Sequence, residues 1–594
     1  MKGIDLFNGQ IGYRFLPKVA CTSIKHQLYC QTSLSKDDLG AMDDIHRLLN
    51  QGGYHRSIDN CEMRFIVLRD PIKRFLSAYS NRVLHHHELS EWSLAKKHPD
   101  LYKKINIFDP DLDTFIENLD EYLQVPSIHH HVKPINSFLG GQDLDYFTHI
   151  YKIEELDRLE RDLSKALDNE VAFDRLQTGG PKFSLSALNE QQINKLFLFY
   201  RDDYKSLAGY YSKLDILKDR GLIEVVDTDH EPDEKQETPF IIWTSRRTGG
   251  TNFARALYKS SNLQCIEDEP FNLGRAWGYI TKEWKKNFDY VELYKLINQL
   301  LSEKWLLKHC LEIADDQINL ALSELAVQYG YKSLFLYRET SEDRLLSLNF
   351  AQQTAVWGRD QLKQTAISEG VFQQEVDVNY LIEHEKKSRR AMRELYMALI
   401  LQNQEPLSVS FETLYKTANF EYSCQIVESI FDELGLNKDI LTDEFLNKTL
   451  KRGGQGTDKD YLRFERADEL VEKTKNMGEF KLNSLPEYHK TAVENDAIVH
   501  LAIWNPHEAI KPDQAYLSGI ILTDDTQNIK FAFYEGDRKI ETPGWLTSPA
   551  MSKKYPDNSN SGNCRFLAGP VSTLQPIRIE IENTQEPLVT LRFE

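Results

Sequence analysis

A lysine or arginine with adjacent hydroxyls, on a short loop between an apolar strand and a helix, is equipment for holding phosphate, and this chain carries two such sets. The first lies in RFLPKVACTS, where Lys18, Ala20, Cys21, Thr22 and Ser23 form the loop and helix start, and in RFIVLRDPIKRFLSAYSNR, with Arg69 and Ser77. The second lies in FIIWTSRRTGGTNFARAL, with Arg246, Arg247, Thr248, Gly249, Gly250, Thr251 and Asn252, and in SLFLYRETSEDRLLSLNFAQQ, with Arg338 and Ser347. A strand, a tight loop and a helix aim backbone N–H groups and a helix N-terminus at an anion. Lys18 adds a mobile point charge, and Thr22 and Ser23 suit the helix N-cap. Gly249 and Gly250 allow close backbone approach, Thr251 can cap the helix, and two arginines neutralise an anion. Downstream in each set, a strand ends in an arginine and the next helix carries a serine, Ser77 eight residues after Arg69 and Ser347 nine after Arg338. An arginine fork with a hydroxyl makes a second phosphate grip. Two grips in that order suit a nucleotide with phosphates at both ends.

Neither loop is GxxxxGK[ST], and no acidic residue at the end of a nearby strand stands out as a magnesium ligand. That weighs against ATP hydrolysis, and no metal is expected.

The elements that must position these groups divide the chain. At 594 residues the length predicts roughly three to four domains. Residues 1–218 alternate strands (10–16, 63–68, 146–151) with helices (22–34, 71–87, 153–168, 189–208), the pattern of a parallel sheet covered by helices. Residues 219–238, including the acidic DTDHEPDEKQE, read as a linker. From 239 to 488 the alternation restarts, with strands at 240–244, 305–308, 332–337 and 407–411. Residues 489–594 change texture to short alternating runs such as IVHLAIW, IKFAFYE and IRIEIEN, which read as a small antiparallel β-sandwich. The fold class is therefore α/β: two P-loop-like parallel-sheet domains and then a β-sandwich. Trp504, Tyr516 and Trp545 in that last segment are candidates for a sugar platform or for core packing.

With 41% apolar residues the chain is globular. A net charge of −19 excludes bulk electrostatic binding to nucleic acid or anionic membrane. Seven scattered cysteines without a CxxC pair fit a reduced intracellular protein. No run approaches the ~18 apolar residues of a membrane helix, so the expectation is a cytoplasmic protein. Oligomeric state is not legible.

The first set resembles the Golgi-type carbohydrate sulfotransferases, whose donor is 3′-phosphoadenosine-5′-phosphosulfate (PAPS). The resemblance implies that PKVACTS holds the 5′-phosphosulfate and that Arg69 and Ser77 hold the 3′-phosphate. It extends to His131-Val132-Lys133-Pro134, similar to an HWxP element with Trp replaced by Val, to YKIEELDRLERDL, and to FYRDDYKSLAGY, so it covers most of 1–212. The second set resembles bacterial sulfotransferases acting on trehalose and glycolipids. That implies a phosphosulfate loop at Ser245–Asn252, a 3′-phosphate grip at Arg338 and Ser347, an acceptor-site segment at AQQTAVW, and a closing loop at KRGGQGTD. Sulfuryl transfer needs a base for the acceptor hydroxyl and cations for the leaving phosphate. Lys18 in the first half and Arg246 or Arg247 in the second fill the cationic role. Histidine suits the base near neutral pH, and His55, His85 to His87 and His129 to His131 are candidates. Some relatives place the base before the RDP strand, which favours His55; a glutamate in the EPF position of others nominates Glu269. The acceptor implied is a carbohydrate, glycolipid or small hydroxylated molecule. Two alternatives stand beside this reading: a P-loop kinase, and a protein in which one half binds glycan without catalysis.

Overall fold

The computed structural model describes all residues except 33–43, 175–178, 226–236, 264–268, 358–368, 418, 451–460, 525–528, 541–544, 583–586 and 594. Most of the acidic linker and all of KRGGQGTD fall outside the described residues. The chain forms two compact units, Met1–Val225 with Glu283–Asn298, and Val226–Lys282 with Gln299–Glu594. Among the described residues no helix is long and apolar enough to cross a membrane.

The first unit is built on a five-stranded sheet of β1 (Lys2–Asp5), β2 (Ile11–Arg14), β3 (His55–Ser57), β4 (Met63–Leu68) and β5 (His149–Lys152), in the order β3-β1-β2-β4-β5. The run MRFIVL is almost wholly buried, as a central strand covered on both faces must be. Strands β2, β4 and β5 are parallel, with Arg14 opposite Ile66 and Leu68 opposite Lys152. This register brings the chain off β2 into the Phe15–Ala20 loop, off β4 into Arg69 and off β5 into Glu154 at one edge of the sheet. The sheet is mixed, not purely parallel as the strand–helix alternation implies: β1 and β3 are antiparallel additions. Their shortness hides them in the sequence, and they fit through two glycines. A Cβ on Gly3 would lie 2.7 Å from the Tyr13 carbonyl oxygen, and one on Gly12 2.7 Å from Ile58 Cβ.

Several motif residues are scaffold. Asp70 caps the helix Pro71–Tyr79 by accepting from Lys73 N, and Tyr204 Oη donates to its other oxygen at 2.8 Å. Arg74 is fully buried and donates to the carbonyls of His131 and Val132 at 2.8 and 3.2 Å and to that of Lys133 at 2.5 Å. Asp203 accepts from the backbone N–H groups of Ile135 and Asn136, and Tyr211 Oη donates to Leu68 O and Glu154. The single helix expected over 189–208 is two, Glu190–Phe199 and Arg201–Ser206, joined at Tyr200. The helix expected over 71–87 is α-helical to Tyr79 and π-helical over Ser80–His85.

The second α/β sheet has β6 (Phe240–Thr244), β7 (Leu307–Cys310), β8 (Lys332–Tyr337) and β9 (Leu407–Ser410) in the order β7-β6-β8-β9, all parallel. Phe240–Thr244 is buried throughout. Thr244 sits opposite both Cys310 and Leu336, so the loop after β6, the end of β7 and Arg338 share one edge. Residues beyond 488 form two antiparallel sheets that share a core of Leu517, Phe533, Phe566, Ile579, Val589 and Leu591. Their change of texture is not a break in packing: Ser408 N donates to Ile510 O at 2.7 Å, and Ile510, Tyr516 and Leu567 join the core around β9. Tyr516 is buried with its hydroxyl at 2.6 Å from Ser429 Oγ, which removes it from any sugar platform; Trp504 and Trp545 remain exposed.

Replacing Arg74 by Met should lower the stability of the first unit by about 3 kcal/mol, because buried carbonyls left without a donor cost about 1–3 kcal/mol each. Urea unfolding monitored by circular dichroism would measure it, and an unchanged first transition would contradict the scaffold role.

Candidate functional site

In the first unit the β2 loop turns sharply, with Lys18 and Ala20 at positive φ (68° and 57°). Ala20, not Thr22 or Ser23, occupies the N-cap, and the helix begins at Cys21. Thr22 and Ser23 therefore stand in the first turn, with Thr22 Oγ1 3.3 Å from His46 Nε2. Arg69 leaves β4 and folds back onto the loop, its Nη1 donating to Lys18 O at 2.9 Å. Ser77 lies half-buried on the helix after it. The strand-end arginine and the loop that carries Lys18 thus meet.

Lys18 is lowered to about 8 by burial and then by Arg82, Cys21, Arg69 and Glu88 acting in opposed senses. Arg82 comes from the π-helical turn, and no motif in the sequence singles it out. It pairs with Glu88 at 3.2 Å, its Nη2 lies 2.8 Å from His131 Nε2, and its buried Nε has no hydrogen-bond partner among the described residues. A π-turn inserts one residue per turn and re-aims the side chains beyond it, a frequent device at functional sites.

The histidine candidates separate. His131 is depressed to about 3, first by burial and then by Arg82; with Nδ1 on the Ser127 carbonyl and Nε2 facing the Arg82 guanidinium, both ring nitrogens are engaged. His86 is lowered by burial and by Arg82, His85 and Lys18, which places it in the field of the loop lysine. His130 packs edge-on to Phe138 and is lowered by burial, Lys133 and Arg82. His55 packs on Phe15 and is lowered by burial and by Lys25 and Arg14. Its surroundings are those of β1–β3, whereas those of His86 and His131 include Lys18.

In the second unit the loop after β6 has Arg247 and Gly249 at positive φ, and the helix runs Gly250–Lys259 with Gly249 as N-cap. Thr251 is in the first turn and is not the cap. A Cβ on Gly249 would lie 2.8 Å from the Phe411 ring, and the Arg338 guanidinium stacks on that same ring at 3.7 Å. Ser245, Thr248 and Arg338 also line one cleft with Arg344 and Arg389. Loop and strand-end arginine therefore converge here too.

The charges around this loop have no signature in the sequence. Arg246 pairs with Glu312 at 3.0 Å, and Arg344 bridges Glu312 and Glu385 with all three carboxylate and guanidinium groups buried. Burial pushes Glu312 upward, but Arg344, His384 and Arg246 outweigh it and hold the carboxyl at about 2. Arg247 turns the other way: its Nε donates to Ser347 Oγ at 2.8 Å and its Nη1 to Trp357 O at 2.8 Å, while Tyr461 Oη donates to the same Ser347 oxygen at 3.1 Å. Thr248 Oγ1 closes the turn on Ser245 O, and Asn252 Nδ2 donates to Thr449 O. Glu269 accepts from Lys308 Nζ at 3.2 Å. Lys308, in the strand LKHC, carries no motif signal. Among the described residues no cluster of three or more His, Cys, Asp or Glu could hold a metal.

A carboxyl whose folded pKa lies below its unfolded value stabilises the fold above the unfolded pKa and loses that contribution as pH falls. Stability of the second unit should therefore fall as pH drops from about 4.5 to about 2, and Glu312→Gln should flatten that slope; an equally steep acid transition in the variant would show that the pair with Arg344 is not what holds this region.

Comparison with known proteins is specific to the first half. Residues 8–224 match the family model described as "Sulfotransferase family". No curated protein and no solved structure matches the chain. The region that carries Lys18, Arg69 and the Arg82 turn is thus similar to sulfotransferases, and the match supports a sulfotransferase first half.

Proposed function

We propose that this protein transfers the sulfuryl group of PAPS to a hydroxyl of a carbohydrate, glycolipid or small acceptor, and that each half holds its own donor. The observation that carries this is the convergence in each half of a strand–loop–helix with an arginine from the next parallel strand: Arg69 on the Lys18 carbonyl, and Arg338 on the ring that abuts Gly249. The family match supports the first half directly; the second half rests on the same order of elements, β6-β8-β9 repeating β2-β4-β5.

In the first half, the loop backbone and Lys18 would hold the phosphosulfate, and Arg69 with Ser77 the 3′-phosphate. The acceptor oxygen attacks sulfur in line and the S–O bond to the 5′-phosphate breaks. Lys18 and Arg82 offset charge on the departing phosphate. A histidine in the field of Lys18, with His86 the best placed, takes the acceptor proton. In the second half Arg247, Arg338 and Ser347 would hold the donor and Glu269 would act as base. A second reading, in which this half binds without catalysing, is favoured by one observation: Arg246 is neutralised by Glu312.

The full chain should bind two equivalents of adenosine 3′,5′-bisphosphate by calorimetry, and Arg69→Ala or Arg338→Ala should each remove one. Unchanged stoichiometry in either variant refutes that site, and magnesium-dependent ATP binding in its place would establish the kinase alternative.

The pH dependence comes from Lys18, which must be protonated to hold an anion. First-half kcat/KM should decline above about pH 8, and Lys18→Arg should carry the plateau past about pH 10, since guanidinium stays charged. A profile unaltered by Lys18→Arg would remove Lys18 from the donor site.

A further inference from the structure

The sequence nominates Arg246 and Arg247 to offset leaving-group charge in the second half, yet Arg246 is paired with Glu312, and Arg247 turns to Ser347 and the Trp357 carbonyl, on the side of the proposed 3′-phosphate grip. We propose that Lys308 supplies that charge, in a catalytic pair with Glu269. The inference rests on the reading of the second half as a sulfuryl-transfer site.

Lys308 enters from β7, the strand beside the loop strand. Its side chain is only 6% exposed, and its Cε would lie 3.3 Å from a Cβ placed on Gly250, so the ammonium is confined beneath the first turn of the Gly250 helix. Nζ is 3.3 Å from Thr251 Oγ1 and 3.2 Å from Glu269 Oε1. Glu269 N donates to Lys308 O at 3.1 Å, so a backbone bond fixes carboxylate and ammonium to each other. A helix N-terminus repels a cation. A buried lysine there is favourable only with an anion beside it, which Glu269 now provides and a phosphosulfate would share. The first half delivers its ammonium from the loop itself, through Lys18; the second delivers it from the adjacent strand.

In the step, the acceptor oxygen bonds to sulfur as the bond from sulfur to the 5′-phosphate oxygen breaks. Glu269 takes the acceptor proton. The electron pair stays on the phosphate oxygen of adenosine 3′,5′-bisphosphate, where Lys308 offsets its charge. Releasing Glu269 from Lys308 as that charge develops frees the carboxylate to accept the proton, so the two residues work as a couple.

The test uses the full chain carrying Arg69→Ala, so that only the second site reports. Two quantities are measured: calorimetric Kd for adenosine 3′,5′-bisphosphate, and PAPS consumption with water or trehalose as acceptor. Lys308→Met should slow consumption about 100-fold, the scale of losing one transition-state charge partner. Kd should move less than about fivefold, since the interaction lost is made in the transition state. Lys308→Arg should recover much of the rate. Consumption by Lys308→Met at the parent rate overturns the inference while leaving the second site intact. So does a joint loss of binding and rate that Lys308→Arg does not relieve, which marks a structural lysine. If circular dichroism shows Lys308→Met unfolded, Glu269→Gln decides: retained binding with lost consumption supports the couple, and consumption at the parent rate overturns it. A parent that neither binds the bisphosphate nor consumes PAPS removes the reading of the second half, and this inference with it.

Discussion

Holding several cations at one sheet edge, partly out of water, is the constraint on which both halves depend. Like charges repel more strongly as solvent is excluded, so each half must supply counter-groups for these cations. The first half leans mainly on neutral and partial charges, with the Glu88 carboxylate on Arg82 as a full countercharge. Arg69 rests on a carbonyl, Arg74 on three carbonyls, and Arg82 on Glu88 and a neutral histidine. Lys18 sits among them with its ammonium lowered to about 8, first by burial.

The second half meets the same constraint with full charges. Glu312 and Glu385 lie between Arg246, Arg344 and Arg389, with Ser245, Ser341 and Ser388 filling the remaining hydrogen-bonding positions. A buried network of this kind contributes little net stability but is costly to break, because each member left alone is an uncompensated charge. It fixes the loop while consuming one of the loop's two arginines. The neighbouring strand carries a further cation, Lys308, beside the first turn of the loop's helix.

Motif residues split into loop-facing and architectural ones in a way that spacing alone does not reveal. Arg69 and Arg74 are five apart on one conspicuous motif, yet one reaches the loop and the other is sealed in the core. Asp203 and Tyr204 tie the end of the domain to the turn after His131 and to the cap of the Arg74 helix.

The sequence by itself determined the parallel strands that matter, the two loops and the strand-end arginines, because buried strands and glycine-rich or hydroxyl-rich turns are set by local pattern. It did not reveal β1 and β3, the π-turn at Ser80–His85, the break at Tyr200, the position of the helix caps, or the partners of Arg82, Glu312 and Lys308. Those were decided only by tertiary structure. A charge acquires its role from what is brought within a few ångströms of it, and the partners of these residues lie from six residues (Arg82 and Glu88) to seventy-six (Glu312 and Ser388) away along the chain.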